Sequence, residues 1–120
     1  MVAAGAVSII FLLVDELGFN NVAWNNGSVA KMPHISALYK DGVGLTSHYV
    51  QRWCTPTRAA LLTGRYPHRM GWNQYPSKFA EELSSIPSTF ALMPAMLKRA
   101  NHTVSTHMLG KWHLVSKERK

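Results

Sequence analysis

The sequence of 120 residues contains a single cysteine, Cys54, which excludes an internal disulfide and leaves that thiol either packed away or used chemically. Carboxylates are scarce, with six Asp and Glu against thirteen Lys and Arg, for a formal net charge of +7. None occurs between Asp41 and Glu81, a span that holds Arg52, Arg58, Arg65, Arg69 and Lys78. The surroundings of Cys54 are therefore positive, which suits an anionic substrate or a nucleic-acid phosphate, or makes this stretch one side of a larger balanced surface. No apolar run is long enough to cross a bilayer, which needs about 20 residues. The run at residues 2–14 also lacks the basic start and small-residue cleavage site of a secretory signal. With 47% apolar and 16% charged residues, the composition is that of a globular chain rather than a disordered one.

Residues 7–14, Val-Ser-Ile-Ile-Phe-Leu-Leu-Val, read as a central parallel strand, continuously apolar because it would be buried on both faces. Asp15 and Glu16 follow at its carboxyl end, where open α/β sheets gather ligands, and a carboxylate pair there offers hard oxygen donors for a cation. The plain alternative is a solvated turn. Asn25-Asn26-Gly27 marks a turn, and Asn26-Gly27-Ser28 is a glycosylation sequon. Pro33 predicts a short helix to about Tyr39, closed before Gly42, and residues 45–50 alternate as a second strand that leads to Cys54.

The stretch from Cys54 to Arg65, Cys-Thr-Pro-Thr-Arg-Ala-Ala-Leu-Leu-Thr-Gly-Arg, gathers the lone cysteine, a helix start and two arginines. Thr55 is a favourable N-cap, Pro56 suits a first helical position, and Gly64 is a stop signal, which predicts a helix over 56–63. Cys54 would then lie beside the positive end of a helix dipole, with Arg58 one turn along. Alone, such a cysteine is more often a small buried apolar residue.

Residues 66–72 read as a loop bearing His68 and Trp72. Pro94 predicts a further helix to Arg99, with Met93, Met96 and Leu97 in the core and Asn101 ending it. Residues 105–110 read as a third strand ending at Gly110. Beyond it, Lys111 and His113 stand two apart and can face one side of an extended chain.

The run Cys54 to Arg65 resembles the signature of the type I sulfatases, C-x-P-[S/T]-R-x-x-L-x-T-G-R, at each fixed position. Asp15-Glu16-Leu17-Gly18-Phe19 resembles the family's D-D-L-G-[W/F/Y], with Glu16 in the place of the second aspartate. Gly110-Lys111-Trp112-His113-Leu114 resembles its G-K-W-H-L-G, with Val115 in the place of the last glycine. The resemblance runs from residue 8 to residue 113 and is most marked toward arylsulfatase B and its relatives. It implies an alkaline-phosphatase-like α/β fold, a mostly parallel sheet flanked by helices, of which residues 1–120 are the amino-terminal part of the catalytic domain. It implies that Cys54 is oxidised to formylglycine by a formylglycine-generating enzyme, and that Ca²⁺ is bound by Asp15, Glu16 and the converted Cys54. Arg58 and Lys111 would contact the sulfate and His113 the formylglycine hydrate. The substrate implied is a sulfated small molecule or glycan, and the location lysosomal or secreted.

Three other readings compete with an active sulfatase. A metal-dependent phosphatase or phosphodiesterase of the same superfamily would use Ser or Thr as its nucleophile, where this chain has Cys54 in a complete motif. A catalytically inactive sulfatase-like fragment is the second. The third, a basic nucleic-acid-binding module, finds no motif for base or backbone reading in the chain.

Overall fold

The computed structural model describes residues 7–25, 30–70 and 86–114, and the chain divides into two compact units, Met1–His48 and Tyr49–Lys120. Trp72, the sequon at Asn26 and Val115 lie outside the described residues.

In the first unit, residues 7–14 carry no regular secondary structure and are open to solvent, Val7 at 86% and Ile10 at 94%. The buried central strand expected here is not formed, and no strand is paired among the described residues. The reason is the ladder: a strand's amides and carbonyls need a neighbouring strand, and apolar patterning supplies none. A 3-10 helix, Phe19–Asn21, follows, closed by the Asn21 amide on the Gly18 carbonyl at 2.9 Å. The Asn25 side chain ties it down by donating to the Phe19 carbonyl at 2.8 Å. Helix α1 spans Pro33–Asp41, with the proline in its first turn as expected and its first bond from the Ser36 amide to the Met32 carbonyl at 2.8 Å. Near its end, Tyr39 stacks on Trp24 with ring centroids 4.4 Å apart and planes within 7°. Val22 is the one buried apolar residue described in this unit.

The second unit is built on α2 (Cys54–Thr63), a 3-10 helix at Pro67–Met70, and α3 (Met93–Ala100). Its core is small. Ala59, Leu62, Met70 and Leu114 are buried together, with Ile86, Phe90 and Leu92 packed against them. Helix α2 ends as its sequence predicts: Gly64 takes the left-handed conformation at φ 65°, and its amide donates to the Ala60 carbonyl at 2.8 Å. That φ costs a residue with a Cβ about 1–2 kcal/mol, which is why glycine stands there. The chain then turns straight into the 3-10 helix where a loop was expected. Pro67 presets the helical φ, and Met70 reaches the core one turn later. Thr63 holds this junction, donating its hydroxyl to the Ala59 carbonyl at 2.7 Å with the Met70 sulfur 3.4 Å away. Carbonyl oxygen is the better acceptor, so the sulfur contact is mainly packing.

Helix α3 starts one residue earlier than Pro94 alone suggests, at Met93. Its apolar positions do not form the expected core: Met96 is 55% exposed, and Met93 and Leu97 are more than a third exposed. The residues that lead into it, Phe90 and Leu92, pack on the core instead, and the Arg65 guanidinium lies 5.2 Å over the Phe90 ring. Asn101 ends α3 in an extended conformation, its side-chain oxygen accepting from the Thr103 amide at 3.0 Å and hydroxyl at 2.8 Å. Residues 105–109 run on without regular secondary structure and without the expected strand pairing. The same holds for residues 45–50, which are interrupted by a turn at Thr46 and Ser47.

Candidate active site

Helix α2 begins at Cys54, two residues before the start expected from Pro56, with Trp53 rather than Thr55 as its N-cap. The Trp53 carbonyl explains the shift. It accepts the Thr57 amide at 3.1 Å and the Thr57 hydroxyl at 2.7 Å, which closes the first turn around Cys54. Trp53 itself is extended and offers no side-chain cap, since an indole only donates. The first-turn amides of Cys54 and Thr55 therefore point out of the helix, and Pro56 has none. Cys54, half-buried, stands at the positive pole of a ten-residue helix, where an anionic atom is favoured.

One turn along, Arg58 is buried, 8% exposed, and its Nη1 donates to the Lys111 carbonyl at 2.6 Å across 53 residues of sequence. The motif helix and the Gly-Lys-Trp-His segment are thus joined by a charge-assisted bond, the stronger class of hydrogen bond. The sequence suggests Arg58 as a group reaching back toward Cys54, and in the structure its Nη1 binds the Lys111 carbonyl.

The Lys111 segment is held at its other end by Leu114, 5% exposed and in contact with the α2 core. Between these anchors the backbone is not extended. Gly110 has φ 97° and His113 φ 53°. Alternation therefore does not govern where Lys111 and His113 point, because the left-handed residue at 113 turns the chain so that Leu114 can enter the core. Lys111 and His113 are both exposed, and Trp112 covers an apolar hollow of about 170 Å³ with Phe90, Leu92 and Leu114. The described residues of this unit include Arg52, Arg58, Arg65, Arg69, Lys98, Arg99 and Lys111, and no carboxylate.

Asp15 and Glu16 belong to the first unit, immediately after the extended run, and Glu16 has the left-handed φ of 54°. Their oxygens are right in kind for Ca²⁺, but two side chains fall short of the six to eight ligands it takes. Among the described residues, no three His, Cys, Asp or Glu are grouped to hold a metal ion.

Two contributors escaped the sequence reading. Leu114, a matched position of the Gly-Lys-Trp-His-Leu run, had no structural role assigned, yet it anchors that run in the core. Thr57, a fixed position of the motif, had no structural role assigned, yet it closes the turn that bears Cys54.

An oxyanion-favouring helix start with a lone cysteine, coupled through an arginine to a Lys-x-His segment, defines a candidate anion-handling site of the sulfatase kind. The Sulfatase family model matches residues 8–120, and the chain belongs to that family. With the family comes the alkaline-phosphatase-like α/β fold. Among curated proteins, Arylsulfatase J of Mus musculus is 39% identical over 106 residues, covering 88% of this chain and 17% of the relative. N-acetylgalactosamine-6-sulfatase of Mus musculus is 34% identical over 126 aligned positions, covering 95% and 24%. Steryl-sulfatase of Homo sapiens is 33% identical over 117, covering 93% and 20%. The chain thus spans about a quarter or less of the length of these relatives. No solved structure matches it significantly. No helix among the described residues is long and apolar enough to cross a membrane.

Proposed function

We propose that this chain forms the nucleophile-bearing part of a sulfuric ester hydrolase site, with Cys54 acting after conversion to formylglycine. The observation that carries the reading is the bond from Arg58 to Lys111, which draws together the complete cysteine motif and the Lys-Trp-His segment. In the hydrated aldehyde, one oxygen attacks the sulfur of the ester, the S–O bond to the alcohol breaks, and the alcohol leaves with a proton. The second hydroxyl of the hydrate then loses its proton, the C–O bond to the sulfated oxygen breaks, and sulfate departs as the aldehyde re-forms. A serine has no second hydroxyl for that step, which is the chemical reason for an aldehyde.

The residues have separate parts in this scheme. The amides at the start of α2 and the Lys111 ammonium stabilise charge spreading over the sulfuryl oxygens. Arg58 fixes the Lys111 backbone through its carbonyl and adds positive charge, and His113 hydrogen-bonds the hydrate. Asp15 and Glu16 would contribute oxygen ligands to a Ca²⁺ completed by further donors. Bound there, the cation would supply polarisation of the sulfate. The substrate class is a sulfated small molecule or glycan.

Conversion is tested directly by mass. The motif should be read by the formylglycine-generating enzyme as a linear segment, and trypsin releases residues 53–58 as one peptide. Its mass should show an aldehyde oxygen in place of the thiol sulfur in cells that convert a control sulfatase. Unmodified cysteine alone in this peptide, beside a converted control, would remove the basis of the proposal.

A further inference from the structure

The Thr57 hydroxyl lies 2.7 Å from the Trp53 carbonyl and 3.0 Å from the Gln51 carbonyl. Its amide adds a third contact, to the Trp53 carbonyl at 3.1 Å. The hydroxyl has a single proton to share between the two carbonyls, with Trp53 the nearer, and together with the amide bond it ties the segment that delivers the chain to Cys54 onto the first turn of α2. No side chain caps that turn, and the Thr57 hydroxyl does not cap it either: it donates to carbonyls of the entering chain, which ties that chain to the helix without engaging the first-turn amides. A back-bond from threonine to a carbonyl four residues earlier ordinarily bends or slightly weakens a helix. Here the same hydroxyl also reaches Gln51, two residues before the helix cap, where it restrains a segment that helical bonds cannot.

We infer that Thr57 is the positioning residue for residue 54: its hydroxyl fixes residues 51–53 and thereby the direction in which the residue 54 side chain leaves the helix start. Its importance for turnover rests on the sulfatase reading, but the positioning itself can be measured on the thiol. The probe is iodoacetamide labelling of unconverted Cys54 in the full chain, for the native protein, Thr57→Val and Thr57→Ser. Valine keeps the branched shape and removes the hydroxyl, whereas serine keeps the hydroxyl.

Thr57→Val should label about fivefold faster, the change expected when one ordinary hydrogen bond restraining a half-buried group is lost. Thr57→Ser should label within twofold of the native chain, and all three should label alike in urea. Hydrogen exchange read on the same chains separates local from global loosening: the amide of residue 57, which donates to the Trp53 carbonyl at 3.1 Å, should exchange faster in Thr57→Val while residues 61–64 stay unchanged. Equal labelling of Thr57→Val and the native chain would overturn the inference. So would Thr57→Ser behaving like Thr57→Val, or loosening spread evenly over α2. Absence of formylglycine in cells would defeat the enzymatic reading and leave these rates untouched.

Discussion

Replacing Arg58 by methionine tests the joint between α2 and the Lys-Trp-His segment. Methionine is unbranched and polarisable enough to fill much of the arginine's buried path, but it offers no donor to Lys111. The lost contact is a 2.6 Å charge-assisted bond from a side chain only 8% exposed. Bonds of that kind contribute about 1.5–3 kcal/mol. Lys111 is exposed, so water can replace part of what its carbonyl loses, which places the expected cost near 2 kcal/mol. That is roughly a thirtyfold shift in the opening equilibrium of the segment. Leu114 should keep the segment attached at its far end, so the loss should be local before it is global. Native-state hydrogen exchange of residues 108–114 should show protection falling by about that factor, while residues 59–63 of α2 change much less. Unchanged protection of 108–114 would refute the coupling. An equal fall across both segments would show that Arg58 supports the whole core and does not specifically hold Lys111.

Other perturbations address single links. In the full-length enzyme, Lys111→Ala should lower turnover of an aryl sulfate by about a hundredfold, near 3 kcal/mol of barrier, while thermal stability holds because Lys111 is exposed. Parallel loss of activity and stability would assign it a structural role instead. Gly64→Ala should destabilise the chain by about 1 kcal/mol in urea denaturation, because alanine must adopt φ 65° at the end of α2. No loss there would mean that the helix end relaxes to another cap. Calorimetric titration of Ca²⁺ into the purified chain should give no micromolar binding, and the same sample should not turn over aryl sulfate, because Asp15 and Glu16 supply too few ligands. Tight binding with turnover would show that these residues assemble a complete site.

The parts of this molecule legible in its sequence are those whose cause is local. Pro33 and Pro94 mark helices because a ring-locked φ and a missing amide are tolerated in a first turn. Gly64 marks a helix end because a left-handed residue is cheapest without a Cβ. The candidate residues Cys54, Arg58, Lys111 and His113 were found as motifs. What could not be read was what depends on distant partners. Residues 7–14 have the composition of a buried strand, but a strand exists only where another strand completes its hydrogen bonds, and none is described. The α2 start moved because of where a threonine hydroxyl points, which residue type alone does not fix. Similarly, the left-handed turn at His113 follows from the demand that Leu114 be buried, a constraint imposed by a core whose other members lie far away in sequence.

The bond between Arg58 and Lys111 also sets a clock. Its partners are separated by 53 residues, so it cannot form until the ribosome has made that length after Arg58 and released Lys111 from its exit path. At about 5–20 residues per second, synthesis of that interval takes roughly 3–10 s. Closing a loop of this size then costs on the order of 3–4 kcal/mol of chain entropy, so the joint also waits for the core around Leu114 to help draw it shut. Throughout that interval Cys54 lies in nascent chain that its later partner does not yet hold. A modifying enzyme that acts on extended polypeptide has those seconds in which to work, and slower elongation between Arg58 and Lys111 would lengthen them.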